Sequence, residues 1–392
     1  MSLNTGLQAG CSIKTRSPWS LIAMAPTTTK FKVAAVHAAP VFMDKAATIK
    51  KVVRLIEQAA EEDIKILVFP ETFIPGYPYF IECYPPLKQV SALAAYAAQS
   101  VIVSPHNDDM APIQAACRRA GITISLGISE RMPNGGYTLF NSQVTIDRDG
   151  SILGVHRKLQ PTYVERMVWA QGDGSTLRTW RLDGLAGGEG VVLGGLACWE
   201  HAMNGARQAL IVQGEQVHAG AWPALSTMKG FEAVADAQIE ALMKAHALTA
   251  QVWVVCASNY VDETCLEWMR RELGEQELVT RGGGWSAVVH PFCGFVAGPH
   301  TGEEERLVSG EVDLEELRVV KVWIDAKGHY QRPEILRFGW DKTAYWADEQ
   351  EERFGNRTEE GKRVEKRELD MRDEEEEACN WPKGPWPGPI VA

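Results

Sequence analysis

The stretch Gly194–His201, GGLACWEH, sets a small apolar run against a cysteine, a tryptophan and a glutamate. With Val191–Leu193 ahead of it, VVLGGLAC reads as a buried strand that stops at Cys198. An ionisable thiol at such a stop has two readings. Free cysteine is among the most buried residue types, so Cys198 fits a core position. It equally fits a nucleophile on a strand-to-helix turn. The rest of the chain has to decide.

Working outward, other apolar runs repeat the pattern. Phe31–Ala39 and Ile64–Glu71 read as strands, and the helical spacing of Ile49, Val52, Val53, Leu55 and Ile56 predicts a helix over Ala46–Ala60 between them. A helix around Ala111–Ala120 precedes the strand Ile122–Glu130. The Asn134-Gly135-Gly136 turn signal then leads into YTLFNSQVTID and SILGVHRK. Beyond Cys198 come a helix at Ala206–Gln213, a strand Gln216–Trp222 and a helix Glu232–Ala250. VWVVCASN, GWSAVVHP and Leu307–Val312 complete the strands. Strands alternating with helices predict an α/β fold, and the hairpin-like middle predicts a mixed sheet.

Composition narrows the class. The 392 residues suit one large α/β domain with a tail or two ordinary domains. Hydrophobic residues at 45% and charged residues at 23% are those of a soluble globular chain. No apolar run reaches the ~18–20 residues that cross a bilayer, and a net charge of -11 disfavours nucleic acid. Neither a membrane nor a nucleic-acid partner is expected. The eight cysteines form no CxxC pair and no zinc spacing, so no metal is expected and reduced thiols in a cytoplasmic protein are. Gly282-Gly283-Gly284 lacks the Lys-Ser/Thr of a phosphate loop and reads as a turn. No cofactor is expected.

The ends read differently from the middle. Residues 1–30 contain no Asp or Glu but carry Lys14 and Arg16, faintly like an organellar transit peptide. They are read as a flexible extension, with Met24 as another candidate initiator. Residues 336–392 form a charged, Pro-rich tail that includes the run Glu374–Glu377. The expected catalytic domain is 31–335.

Three apolar runs end in a reactive residue: LVFPE in Glu71, GVHRK in Lys158 and GGLAC in Cys198. Each would sit at the carboxyl end of a strand, where α/β folds gather ligands. Singly they are a turn cap, a solvated lysine and a core thiol. Together they make chemical sense. A carboxylate can take the thiol proton, the thiolate can attack a carbon–nitrogen multiple bond, and an ammonium can meet the charge that develops.

VFPETFIPGYPYF, HRKLQPTYVERMVWAQGDG and GGLACWEH resemble the three signature regions of the nitrilase superfamily, specifically its nitrilase branch. The resemblance runs from about Lys32 to about Pro333 and takes in GEQVHAGAWP and DAQIEALMKAHALTA. It implies an α-β-β-α sandwich with two mixed β-sheets between helix layers. It also implies Glu71 as general base, Lys158 as stabiliser of the intermediate and Cys198 as nucleophile. Glu165 matches the second glutamate, which would orient the lysine and a water; without the resemblance it reads as a surface partner of Arg166.

Cys198, Trp199 and Glu200 complete a signature that favours nitrile over amide. The substrate would be a small-molecule nitrile in a pocket involving Tyr77, Trp199, Glu200, Ala202 and Met203. Release of acid and ammonia, release of amide as in a cyanide hydratase, and a silent scaffold all remain open. The chain departs from the family after CWE: His201–Arg207 contains no proline, and Ala202 and Gly205 are small. Such residues either widen the pocket or loosen its loop. A Cys-His dyad through His201 or His218 is set aside, because Glu71 and Lys158 leave no step for it. The family's stacking of dimers implies a homo-oligomer, as a spiral or filament, with contacts near Tyr84–Ser100 and Glu215–Asp236.

Overall fold

The apolar runs become strands of two six-stranded sheets packed face to face in the computed structural model, which describes residues 29–105, 107–133 and 136–346. The first sheet takes β1 (Lys30–His37), β2 (Ile64–Val68), β3 (Thr123–Arg131), β4 (Leu139–Ile146) and β5 (Ile152–Arg157). The second takes β6 (Trp180–Leu182), β7 (Val191–Ala197), β8 (Val217–Trp222), β9 (Trp253–Ser258), β10 (Ser286–Val289) and β11 (Phe295–His300). Then β12 (Arg306–Asp313) returns to the first sheet and pairs antiparallel with β1. The orders are β12-β1-β2-β3-β4-β5 and β11-β10-β9-β8-β7-β6. Both sheets are mixed: β1, β2 and β3 run parallel, as do β7, β8 and β9, while the hairpin partners are antiparallel.

Side-chain alternation explains the layering. Val33, Ala35, Ile66 and Val68 point inward and meet Val217, Ala219, Val255 and Ala257 of the facing sheet. Their neighbours Ala34 and Val36 point outward onto Val52, Leu55 and Ile56 of α1 (Lys45–Glu61). After α2 (Val90–Gln99), α3 (Ala111–Ala120) adds Ile113 and Ala116 to the same outer layer. On the other side α4 (Asn204–Val212) precedes α5 (Ala235–Ala250), whose Ile239, Met243 and Ala247 cover Val254, Cys256 and Val289. α6 (Glu263–Leu273) and α7 (Leu314–Trp323) follow. The result is the α-β-β-α sandwich expected.

Residues 336–346, on the tail side of the expected boundary at 335, run back over the domain. Trp340 Nε1 donates to Gly174 O at 3.2 Å and Tyr345 N to Asp173 Oδ2 at 2.9 Å. The Trp346 ring meets Phe140 edge-on at 5.1 Å. The N-terminal extension through residue 28, the Asn134-Gly135 pair and the charged run from 347 lie outside the described residues. Among the described residues no helix is long and apolar enough to cross a membrane, and every cysteine is free.

Candidate active site

β7 delivers Cys198 on a sharp elbow. The strand ends at Ala197, Cys198 has φ 53°, and a short 3-10 helix over Cys198–Ala202 leads into α4. A side chain in that left-handed region costs about 1–2 kcal/mol, so the surroundings must hold it there. Glu200 does much of this. Its Oε2 accepts from Ala197 N at 3.0 Å, its Oε1 accepts from Leu159 N at 2.8 Å, and His156 Nε2 lies 3.0 Å from Oε2. Burial alone would discharge His156, yet Glu200 wins and raises it, while His156 and the two amides overcome burial to lower Glu200. Glu200 therefore ties the turn after β7 to β5 in the other sheet. Expected against substrate, its carboxylate is instead committed to these partners.

Glu71 lies three residues past β2, on a loop whose next residue, Thr72, also has positive φ (42°). Gly127 on β3 makes room for that loop: a Cβ there would fall 2.1 Å from Pro70 O and 2.8 Å from Glu71 Cα. Lys158 directly follows β5, with its N–H donating to Asn141 O at 2.8 Å. The preceding Arg157 is clamped by two bonds to Glu130, at 2.9 and 2.7 Å. Glu165 sits on the 3-10 helix Tyr163–Met167, where Thr162 N donates to its Oε2 at 2.7 Å.

These turns bring four buried side chains together. Lys158 Nζ donates to Glu71 Oε1 at 2.8 Å and to Glu165 Oε2 at 2.7 Å. Asn141 Nδ2 also donates to Glu71 Oε1, at 2.5 Å, and Tyr77 OH donates to Glu165 Oε1 at 3.0 Å. Cys198 Sγ and a carboxylate oxygen from each glutamate lie within 4.8 Å of one another. Glu71 Oε2 has no hydrogen-bond partner among the described residues, so one oxygen of its carboxylate is uncommitted.

The electrostatics follow from burial and charge count. One ammonium faces two carboxylates, so one carboxylate is in surplus. Burial pushes Glu71 up to about 7, against the pull of Lys158 and with added repulsion from Glu165. Burial alone would lower Lys158, but Glu165 and Glu71 hold it well above the usual lysine range. The Cys198 thiol is driven well up, first by burial and then by Glu71, with Lys158 and the Trp199 amide opposing. The Cys198 side chain thus rests as a thiol beside a carboxylate that titrates near neutrality.

Of the other expected residues, Tyr77 is buried and holds Glu165, and Trp199 packs edge-on to Trp222 at 6.4 Å. Ala202 and Met203 are exposed, on the turn that enters α4. Glu165 pairs with Lys158 in the interior and not with Arg166 at the surface. Asn141 was not singled out in the sequence. Its signal was the polar run Asn141-Ser142-Gln143 inside a strand buried at every position.

Among the described residues two side-chain groups have metal-compatible donors, Glu71-Glu165-Cys198 and Glu215-His218-His246. In the first, the Lys158 ammonium already takes both carboxylates. In the second, each Glu215 oxygen is hydrogen-bonded to one imidazole, at 2.7 and 2.8 Å. Neither set fits a cation.

Known proteins share this fold and much of this sequence pattern. The family model for carbon-nitrogen hydrolases matches residues 32–322. The chain is 36% identical to an aliphatic nitrilase from Rhodococcus rhodochrous, over 81% of this chain and 85% of that one. It is 33% identical to an arylacetonitrilase from Aspergillus niger, over 80% of this chain and 89% of that one. A solved carbon-nitrogen hydrolase from Helicobacter pylori G27 superposes with a TM-score of 0.60 at 19% identity, covering 79% of this chain and 100% of that one.

Proposed function

We propose, from the premise that this chain belongs to the carbon-nitrogen hydrolase family, that it is a nitrilase converting an organic nitrile to the carboxylic acid and ammonia. The observation that carries this reading is the buried Glu71–Lys158–Glu165 chain beside the Cys198 thiol. Relatives named as nitrilases add the substrate class.

As the sulfur attacks the nitrile carbon, the thiol proton passes to Glu71 and an S–C bond replaces one π bond of C≡N. The charge that develops on nitrogen meets Lys158 Nζ and the Trp199 amide, and nitrogen takes the proton back from Glu71, which is a carboxylate again. Water then adds to the thioimidate carbon, with Glu71 receiving its proton. Ammonia leaves a thioester, and a second water releases the acid and regenerates the thiol. In sum, one nitrile and two waters give one acid and one ammonia. The branch lies at the tetrahedral intermediate: expulsion of sulfur in place of nitrogen would give the amide.

The test uses a panel of aliphatic and arylaceto nitriles, with ammonia and amide both quantified. Ammonia should match acid, and peptide mass spectrometry of trapped enzyme should place the adduct on Cys198. Cys198→Ser should keep the fold and lose turnover, since a hydroxyl is far less acidic than a thiol. An adduct on another residue, or amide as the main product, overturns the reading.

A homo-oligomer built from dimers belongs to the same reading. It is supported by large apolar side chains exposed in the two segments named for contacts: Leu87 and Val90 in one, Phe231 and Val234 in the other. A fully active monomer by light scattering would remove it.

A further inference from the structure

A second buried polar chain starts at the Cys198 carbonyl and uses none of the four side chains above. His201 Nδ1 lies 2.6 Å from Cys198 O, and His201 Nε2 lies 2.8 Å from His218 Nε2. His218 Nδ1 lies 2.7 Å from Glu215 Oε1, and His246 Nε2 lies 2.8 Å from Glu215 Oε2. The four side chains come from the elbow, β8, the residues just before it, and α5, and all are buried. Gly194, the first residue of GGLACWEH, makes the chain possible: a Cβ there would fall 2.1 Å from Glu215 Oε1. Trp222 stacks on His201 at 5.3 Å and fixes its ring plane.

The protons in this chain can be counted. A carbonyl oxygen only accepts, so His201 Nδ1 bears the proton of the first bond. Burial and the neighbouring His218 hold His201 neutral, leaving Nε2 as an acceptor, so His218 Nε2 donates. Burial would raise Glu215, but His218 and His246 hold it down to about 2, so it is an anion that needs two donors. Those donors are His218 Nδ1 and His246 Nε2. His218 is therefore the ring that donates from both nitrogens, to His201 and to Glu215. His246, lowered to about 4 chiefly by burial, stays neutral, and its Nδ1 has no partner among the described residues. Arg207 and Lys321 are the other charged groups that act on this chain.

The chain points at Cys198 through one peptide. His201 donates to the carbonyl of the Cys198–Trp199 unit, and the N–H of that same unit favours the Cys198 thiolate. Hydrogen bonds in series polarise one another in a low-dielectric interior. We propose that His201, His218, Glu215 and His246 are positioning residues that polarise the Cys198–Trp199 peptide, strengthening its N–H as donor to the attacking sulfur and to the anion formed on attack. This rests on Cys198 being the nucleophile, as proposed above.

Two substitutions separate polarisation from scaffolding. His201→Asn keeps an N–H for the Cys198 carbonyl and cuts the link to His218; His218→Gln keeps a donor to His201 and removes the ring that donates from both nitrogens. The first readout is the rate of Cys198 alkylation by iodoacetamide across pH, followed on its own peptide and independent of nitrile turnover. A charged hydrogen bond exceeds a neutral one by enough to predict about a tenfold slower alkylation near neutrality and an upward midpoint shift of about one pH unit. In parallel kcat should fall with KM little changed.

Folded variants with an unchanged midpoint overturn the proposal. Should both variants fail to fold, side-chain nitrogen NMR of the wild type with labelled histidine decides. Among the three buried rings one that is protonated on both nitrogens is expected, and three singly protonated rings overturn the proposal. A wild type whose Cys198 alkylates but turns over no nitrile would remove the nitrilase reading and leave this one standing.

Discussion

At the residue scale, the proposed chemistry pairs a thiol that rests protonated with a carboxylate that titrates near neutrality. Glu71 must be ionised to accept a proton, so kcat/KM should climb with pH through about 7, the value to which burial raises it. Glu71→Gln should cost about 10²–10⁴ in rate and erase that limb from any residual activity. A pH profile of both proteins checks it, and a wild-type limb near 4.5 would contradict it. Glu71, Lys158 and Cys198 were legible in the sequence because each closes an apolar run, and the resemblance supplied Glu165. Asn141 on Glu71, Tyr77 on Glu165 and Glu200 on His156 were not. These pairs are 70, 88 and 44 positions apart and exist only after the sheets pack.

At the element scale, one small residue sets the position of Glu71. Gly127→Ala would drive a Cβ into the backbone at Pro70 and Glu71, not into a movable side chain. Such overpacking costs about 1–3 kcal/mol, and a displacement near 1 Å at a reacting group costs about 10² in rate. The variant should lower the urea midpoint modestly and kcat severely. An unchanged kcat would show that the loop yields without moving Glu71. Most strands and the helices α1, α3 and α5 were readable because one face is apolar at a regular period. The short β6 and the largely exposed β11 carry too little apolar signal. In α6 only Cys265, Met269 and Leu273 are buried, and that narrow stripe was missed. The helix expected from Glu232 begins at Ala235, because the chain between is still in turns.

At the scale of the whole molecule, buried histidines make the fold sensitive to acid. His37 and His246 are both lowered to about 4, chiefly by burial, whereas unfolded histidine titrates near 6.5. Between those values the unfolded chain binds more protons, so stability falls as pH falls. Glu215, held at about 2 in the fold, adds a further loss below its unfolded value. The two histidines together remove up to about 4 kcal/mol between pH 6.5 and 5, at ~1.4 kcal/mol per unit each. Urea midpoints at pH 7 and pH 5 measure it, and equal midpoints would rule it out.

The pairing of β1 with β12 has a consequence for the nascent chain. β1 emerges from the ribosome before the other described strands, and residues 306–313, which cover one of its edges, come last among them. At ~5–20 residues per second that edge stays bare for about 14–55 s, offering its unpaired amides to any other strand. A chain stopped at residue 300 should therefore be largely insoluble. Co-expressing a segment spanning 304–325 should recover it in the soluble fraction by strand addition in trans. If the shortened chain stays soluble unaided, β1 has another guardian during synthesis.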